Sequence, residues 1–430
     1  MAVTIKQSQQ ATPRGTIEML AGNIYPLYTT WNWITTTPLY TDFKYQVKYK
    51  DETEEYVFNT IGEDDNNWSK ISLSDLIKNK SKNTFQPKVN AVTANKDGIK
   101  NYQAIITPFN NGDILTSESA STFTSFSIKS TKEIWHLVDF LSGSNDKMLV
   151  DVDFHYYNEN TYATNKALYG YFGYTYGGAF KSKWDKIIYE VFKYDGTILT
   201  YELLNALPIY TPTSNYYLTD TENLLVDIPV GPANIRTTWF NLARVELLNG
   251  YVFLPNTNTH IHLNNGDKYR YAAFDGTTQV SKWYNIEVKN CTTRYTPMAI
   301  SWLNSSGAYD TFEVYAKSEK SIEVKNKTYQ QENNNRVGDF YYVDSTQNRG
   351  DTIYNQETKE TWTVTTDWLS DAEVSELEDF WASPDIYVQI NEEHYPVNNI
   401  TKKVVINNKE NLGLFKYQIT LQIANKKIRI

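Results

Sequence analysis

Cysteine is almost absent from this sequence: Cys291 is its single thiol. One thiol cannot close an intramolecular disulfide, so nothing here is stapled in the manner of small secreted domains. Set within an apparent strand, Cys291 is expected to be a small buried apolar side chain and not a nucleophile. Histidine is also scarce, at five residues. No apolar run approaches the ~18 residues that a membrane-crossing helix needs, and the start at Met1 lacks a basic stretch followed by an apolar one. The chain is therefore expected neither to span a membrane nor to be exported by a recognisable signal. Without that route, the sequons Asn67-Trp-Ser69 and Asn304-Ser-Ser306 read as turn chemistry. A basic surplus is missing too: 41 Lys and Arg stand against 50 Asp and Glu, a formal charge of −9. That balance argues against gripping nucleic acid, which relies on cations to displace counterions. Gly-x-x-x-x-Gly-Lys, Gly-x-Gly-x-x-Gly, Gly-x-Ser-x-Gly and His-Glu-x-x-His do not occur, which removes the usual handles for phosphate, dinucleotide, serine-elbow and zinc-protease chemistry.

What is abundant points to β-structure. Aromatic residues make up 15% of the chain, with 34 Tyr and 11 Trp, and Thr is plentiful; these residues favour pleated, half-buried surfaces. At 430 residues, the chain is long enough for two to four domains of roughly 100–200 residues each. The expected class is mainly β and multidomain: immunoglobulin- or fibronectin-like sandwiches, then a C-terminal antiparallel sheet carrying one helix. The expected divisions are an N-terminal arm at 1–22, a first sandwich at 23–142, an intermediate β region at 143–228, a second sandwich-like region at 229–292 and an α+β domain at 293–430.

Residues 1–22 lack periodicity and read as an extended arm or a partly disordered leader. Phe43, Tyr45, Val47 and Tyr49 then alternate against polar partners, the signature of a strand. Ser72–Lys78 suits a short helical turn, Tyr102–Ile106 and Phe123–Ile128 suit strands, and Ser119–Ser125 is polar enough for an exposed loop. Tyr169–Gly178 alternates aromatics with glycine and fits either a bulged strand pair or a sticky surface loop. Asp195-Gly196 and Asp275-Gly276 each separate two apolar runs, as hairpin turns with positive φ do. Pro297–Tyr315 reads as two half-buried strands, Ile300 and Trp302 alternating with Ser301, and Phe312 and Val314 with Thr311 and Glu313, about the turn Asn304–Gly307. Ser370 stands three residues before Glu373, a capping box that opens a helix with Val374, Leu377, Phe380 and Trp381 on one face and Pro384 as its stop. Ile386, Val388 and Ile390 alternate along a strand, Asn391–Glu393 turns, and Phe415, Tyr417, Ile419, Leu421 and Ile423 alternate along the last strand.

Chemistry is sparse. Strand spacing places Asp151, Asp153 and His155 on one face, and likewise His260 and His262, but the same spacing puts polar residues on the solvated face of any strand. The solvated face is the expectation, because a metal site needs three or four convergent ligands. Glycoside hydrolysis needs only two carboxylates facing across a cleft, which spacing among 50 acidic residues leaves open. The aromatic content suits sugar stacking as well as cores and interfaces, with Trp31, Trp33 and Tyr169–Tyr176 as candidate platforms of a carbohydrate-binding protein. No catalytic residue, cofactor site or metal ligand is assigned, and the protein is expected not to be an enzyme.

Four segments of the last third, Trp302–Phe312, Trp368-Leu-Ser-Asp-Ala-Glu373, Ser383-Pro-Asp-Ile-Tyr387 and Leu414-Phe-Lys-Tyr-Gln-Ile419, resemble motifs of tail proteins from Bacteroidetes-infecting bacteriophages, crAss-like phages included. Asp42-Phe-Lys-Tyr-Gln-Val47 and the strand entering Cys291 are similar too. The resemblance covers about 283–430 well and the rest in part; Ala308 stands where the hairpin pattern has a second Gly. It implies a non-enzymatic virion structural protein, a subunit of an oligomeric ring in the tail or neck, assembled in the host cytoplasm. The implied partners are copies of itself, neighbouring tail, portal or collar proteins, and genomic DNA in transient passage, with no membrane. A carbohydrate-binding, receptor-binding tail component is the alternative.

Overall fold

A computed structural model describes residues 4–6, 16–23, 27–30, 43–51, 55–61, 69–71, 84–95, 99–110, 113–114, 121–133, 148, 154–168, 184–207, 225–247, 250–289, 295, 297–330, 336–337, 341–342, 351–404, 415–424 and 427–429. The protein is mainly β. Its contacts divide it into two compact units, Met1–Asn290 with Leu303–Thr311, and Cys291–Trp302 with Phe312–Ile430.

In the first unit, one sheet runs in the order Thr16–Asn23, Ser121–Glu133, Ile99–Asn110, Phe43–Asp51, Glu55–Ile61. The alternating segment around Tyr45 is a strand, as its pattern requires. Two expectations change here. Thr16–Asn23, read as part of a non-periodic arm, pairs in parallel with Ser121–Glu133. Ser121–Ser125, read as exposed loop, forms the start of that strand and pairs antiparallel with Tyr102–Ile106. At Ser121–Ser125 the backbone ladder outweighs a polar side-chain pattern, and at Thr16–Asn23 the pairing partner lies about a hundred residues away, where no local signal reports it.

A second sheet of this unit runs in the order Phe154–Tyr157, Tyr284–Val288, Lys268–Asp275, Lys186–Phe192, Ile198–Leu204, Phe240–Leu247, Gly250–Thr259. Asp195-Gly196 turns its central hairpin, with Gly196 at φ 84°. Strand Lys186–Phe192 buries alternate residues, so Ile187, Tyr189 and Val191 share one face. That face joins a core with Tyr201, Tyr269, Tyr271 and Tyr284, and with Ala167, Leu225, Val226 and Ile228 from a small three-stranded sheet. The small sheet has the order Thr164–Leu168, Leu225–Pro229, Thr93–Ala94. Tyrosine suits this sandwich-like packing because its ring fills the layer while its hydroxyl reaches the far backbone. Tyr189 and Tyr269 donate to the carbonyls of Pro229 and Val230 at 2.7 and 2.6 Å. Burial pushes the Tyr189 phenol well above its ordinary range.

The second unit is built on one sheet, in the order Tyr309–Val314, Met298–Leu303, Ile386–Ile390, Glu393–Asn399, Gln418–Ile423, Asp351–Thr365, Ser318–Gln330. From Phe415 to Leu421 every second side chain is buried, with exposed or half-buried ones between, as the sequence demands. The capping box is present: Ser370 Oγ accepts from the Glu373 N–H at 3.4 Å, and the Glu373 carboxylate accepts from the Ser370 N–H at 2.8 Å. The single helix expected after it is two short ones, Asp371–Glu376 and Glu378–Ala382. They part at Leu377, whose N–H is shared between the carbonyls of Glu373 and Val374 at 3.3 and 3.1 Å, a tightened turn. Val374, Leu377 and Phe380 still face inward, and Phe380 meets Trp302 edge-on at 5.6 Å.

The hairpin Met298–Val314 departs from its pattern. Its strands are not half-buried: Ser301, Thr311 and Glu313 are buried along with their apolar neighbours, while Phe312 is partly exposed. Alternation reports one solvated face, and here no such face exists. The turn is organised by Asn304, whose Oδ1 accepts from the N–H groups of Ser306 and Ala308 at 3.0 and 2.9 Å, while Nδ2 donates to Asp310 at 3.0 Å. Gly307 takes φ 96° and Ala308 is fully buried in the core of the first unit.

Candidate interaction surface

The most unusual feature of the second unit is a ribbon. Ser318–Gln330 and Asp351–Thr365 pair antiparallel from Ser318↔Val364 to Gln330↔Asp351. The root is anchored, since Val364 is fully buried, but from Glu319 to Gln330 every residue of the outer strand is exposed. The inner strand is bonded on its other side by Gln418–Ile423 at Thr361–Thr365 and by Lys427–Arg429 at Gln356–Thr358. Beyond Gln356, the described residues of the ribbon form a two-stranded structure. Among the described residues the outer strand ends the sheet, leaving a 13-residue edge about 43 Å long at ~3.3 Å per residue.

Its side chains are sorted by face. Ile322 and Val324 lie opposite Glu360 and Thr358, and Lys320 lies opposite Trp362. By alternation these residues continue the face that holds Val364, so the core stripe of the sheet runs on into solvent. Ile322 is 55% exposed, Val324 47%, Ile353 51%, Tyr354 55% and Tyr329 47%. A register shift after Lys327 leaves Tyr354 unmatched, and its ring lies 6.1 Å from that of Tyr329. Charges lie on both faces: Lys320 pairs with Glu360 at 2.9 Å on the face of Ile322 and Val324, and Lys325 pairs with Glu323 at 3.5 Å and Lys317 with Glu319 on the other. A two-stranded ribbon is marginal by itself in water, and an open edge is a template for another strand.

The candidates read from sequence do not converge. His155 is buried, stacked on Tyr157 at 5.3 Å, which corrects the expectation of a solvated face. The phase of that strand is inverted: Phe154 points out, and His155 lies opposite Ile286 in the parallel ladder. Asp151 and Asp153 lie outside the described residues, as do Cys291, Trp31, Trp33, Tyr169–Tyr176 and the turn Ser72–Lys78. His260 Nδ1 lies 2.9 Å from the Thr238 carbonyl and its ring 3.9 Å from that of Trp239. His262 is exposed beyond buried Ile261. Among the described residues, no three His, Cys, Asp or Glu side chains are grouped to hold a metal. An open groove of about 780 Å³ in the second unit is lined by Lys402, Lys403, Lys416, Phe415 and Tyr417, with no carboxylate among its described lining residues. Sequence reasoning assigned no element to the ribbon; its faint signal is Ile322 and Val324 alternating with Glu323 and Lys325. No helix among the described residues is long and apolar enough to cross a membrane.

Compared with protein-family models and with curated protein sequences, the chain matches none.

Proposed function

We propose that this chain is a non-enzymatic structural subunit that assembles with copies of itself through the ribbon Ser318–Thr365. The observation that carries the reading is the outer strand, a 13-residue edge on which the apolar face of the sheet continues beyond its own core. A contact of this type is heterologous: the ribbon of one copy lies on a different surface of the next, and a series of such contacts closes into a ring when the rotation allows. The resemblance of the C-terminal motifs extends the proposal to a ring in the tail or neck of a tailed bacteriophage virion, with adjoining tail, portal or collar proteins as neighbours. A net charge of −9 suits a conduit along which DNA passes without sticking. For the glycan-binding alternative, the exposed rings that meet on the ribbon, Tyr329 and Tyr354, are tilted at 60°, not coplanar as a stacking platform is.

Electron microscopy of the purified chain at high concentration tests the proposal, with closed rings of one size as the expected image. A protein that stays monomeric at every concentration, and is missing from purified virions by mass spectrometry, defeats it.

A further inference from the structure

The small sheet of the first unit holds a lysine, a carboxylate and an amide in one buried cluster. Lys166 and Asp227 are direct cross-strand partners, and Asn95 follows strand Thr93–Ala94 on the other side of the Asp227 strand. All three are shut off from water, at 1%, 0% and 0% exposure for Lys166, Asp227 and Asn95. Asn95 Nδ2 donates to Asp227 Oδ2 at 2.7 Å. Lys166 Nζ and Asn95 Nδ2 both reach the Thr84 carbonyl, each at 3.4 Å, so the two nitrogens are separated by no more than twice that distance. Among the described residues, Asp227 Oδ1 has no hydrogen-bond partner. Lys166 Nζ lies 5.2 Å from the centre of the Tyr309 ring, which packs against Phe85 at 4.8 Å.

An ammonium and a carboxylate buried near one another are a poor source of stability, because desolvation offsets their attraction. Burial pushes the Asp227 carboxyl up to about 6, although the Lys166 charge and the Asn95 amide pull it down. The cluster has a different chemical sense: an amine nucleophile, an amide electrophile, and a carboxyl group between their strands able to carry protons.

We propose that Lys166 and Asn95 condense into an intramolecular isopeptide bond, with Asp227 as the proton-transfer group. Asp227 takes a proton from the Lys166 ammonium, for which Oδ1 is open. The neutral Nζ attacks Asn95 Cγ and the Nζ–Cγ bond forms. Asp227, already hydrogen-bonded to Nδ2 through Oδ2, returns the proton to that nitrogen, and the Cγ–Nδ2 bond breaks. Two of the three Nζ protons leave with Nδ2 as ammonium, Asp227 regains its starting state, and no oxidant or cofactor enters. Exclusion of water protects the step, since it denies hydrolysis its nucleophile. The bond ties strand Thr164–Leu168 to the chain following Thr93–Ala94, across the strand between them. The inference is independent of the assembly proposed above.

Mass spectrometry of the intact, denatured full-length chain tests it. The expected mass is lower than the sequence requires by one ammonia, and digestion is expected to release the Asn95 and Lys166 peptides joined. A folded protein with the full sequence mass overturns the proposal. So does an ammonia loss that persists in Lys166→Arg, which reports cyclisation of an asparagine on its own backbone. Asp227→Ala is expected to keep the full mass. Should that variant fail to fold, Asn95→Asp is decisive: it is expected to lose one water where the wild type loses one ammonia, and an unchanged ammonia loss refutes the assignment.

Discussion

If the ribbon is the assembly surface, replacing Ile322 and Val324 together by lysine should disperse the assembly and leave the subunit folded. Each side chain is about half exposed, at 55% and 47%, so a neighbouring copy has about half of its surface left to cover. Full burial of such a side chain contributes about 1.5–3 kcal/mol, which leaves roughly 1 kcal/mol per residue for the contact. Two ammonium groups drawn toward an apolar contact add a desolvation cost of about 1 kcal/mol or more. The sum, about 3 kcal/mol, corresponds to a ~100-fold rise in the dissociation constant of each contact. Lysine is chosen because Glu360 lies opposite position 322, so a new ammonium there shares the carboxylate that Lys320 already pairs with. As both positions face solvent in the subunit, folding stability should move by no more than about 0.5 kcal/mol. Sedimentation across a concentration series, paired with thermal melting, reads both quantities. An assembly midpoint that does not move refutes the ribbon as the contact. A melting temperature that drops by many degrees refutes the claim that these side chains stand outside the core.

Three further predictions concern the scaffold. Asn304→Ala removes the acceptor of the buried Ala308 N–H and should cost about 2–4 kcal/mol in chemical denaturation; a loss below 1 kcal/mol would show that the turn closes without it. Gly231→Ala places a Cβ at 2.4 Å from the Ala163 nitrogen and 2.5 Å from the Thr161 oxygen. Both are backbone atoms, so destabilisation should reach or exceed the ~1–3 kcal/mol of ordinary overpacking, and an unchanged melting temperature would contradict the close approach. Hydrogen bonds from the backbone and then the side chain of Thr197 hold the Asp195 carboxyl below its ordinary 3.8. A depressed carboxyl contributes stability above its unfolded pKa and loses it as pH falls through the folded one. The advantage of the wild type over Asp195→Asn should therefore shrink on acidification below 3.8, whereas an advantage that grows would reverse the assignment.

Local chemistry carried much of the fold. Positive φ at Gly196, the capping box of Ser370 and Glu373, and the alternation from Phe415 to Leu421 are each decided within a few residues, so the sequence displays them. Asn391 and Glu392, read as a turn, adopt φ 50° and 65° between strands paired at Ile390↔Glu393. A signal failed where burial was decided from afar. Ser301 and Glu313 look like solvent-facing positions of a hairpin, yet both are buried. His155 points inward because its strand docks in parallel beside Tyr284–Val288, a pairing between segments far apart in the chain that no local period encodes.

The candidate sites divide along the same line. By itself the sequence determined the β class, the want of any familiar catalytic motif, and the acidic balance, because composition and two-residue periods are properties of the chain before it folds. Only the tertiary structure decided that strand Ser318–Gln330 outruns the core that its apolar face belongs to. The same holds for Lys166, Asp227 and Asn95, three unremarkable polar residues in sequence. Sheet pairing sets them side by side, and exclusion of water turns their proximity into chemistry.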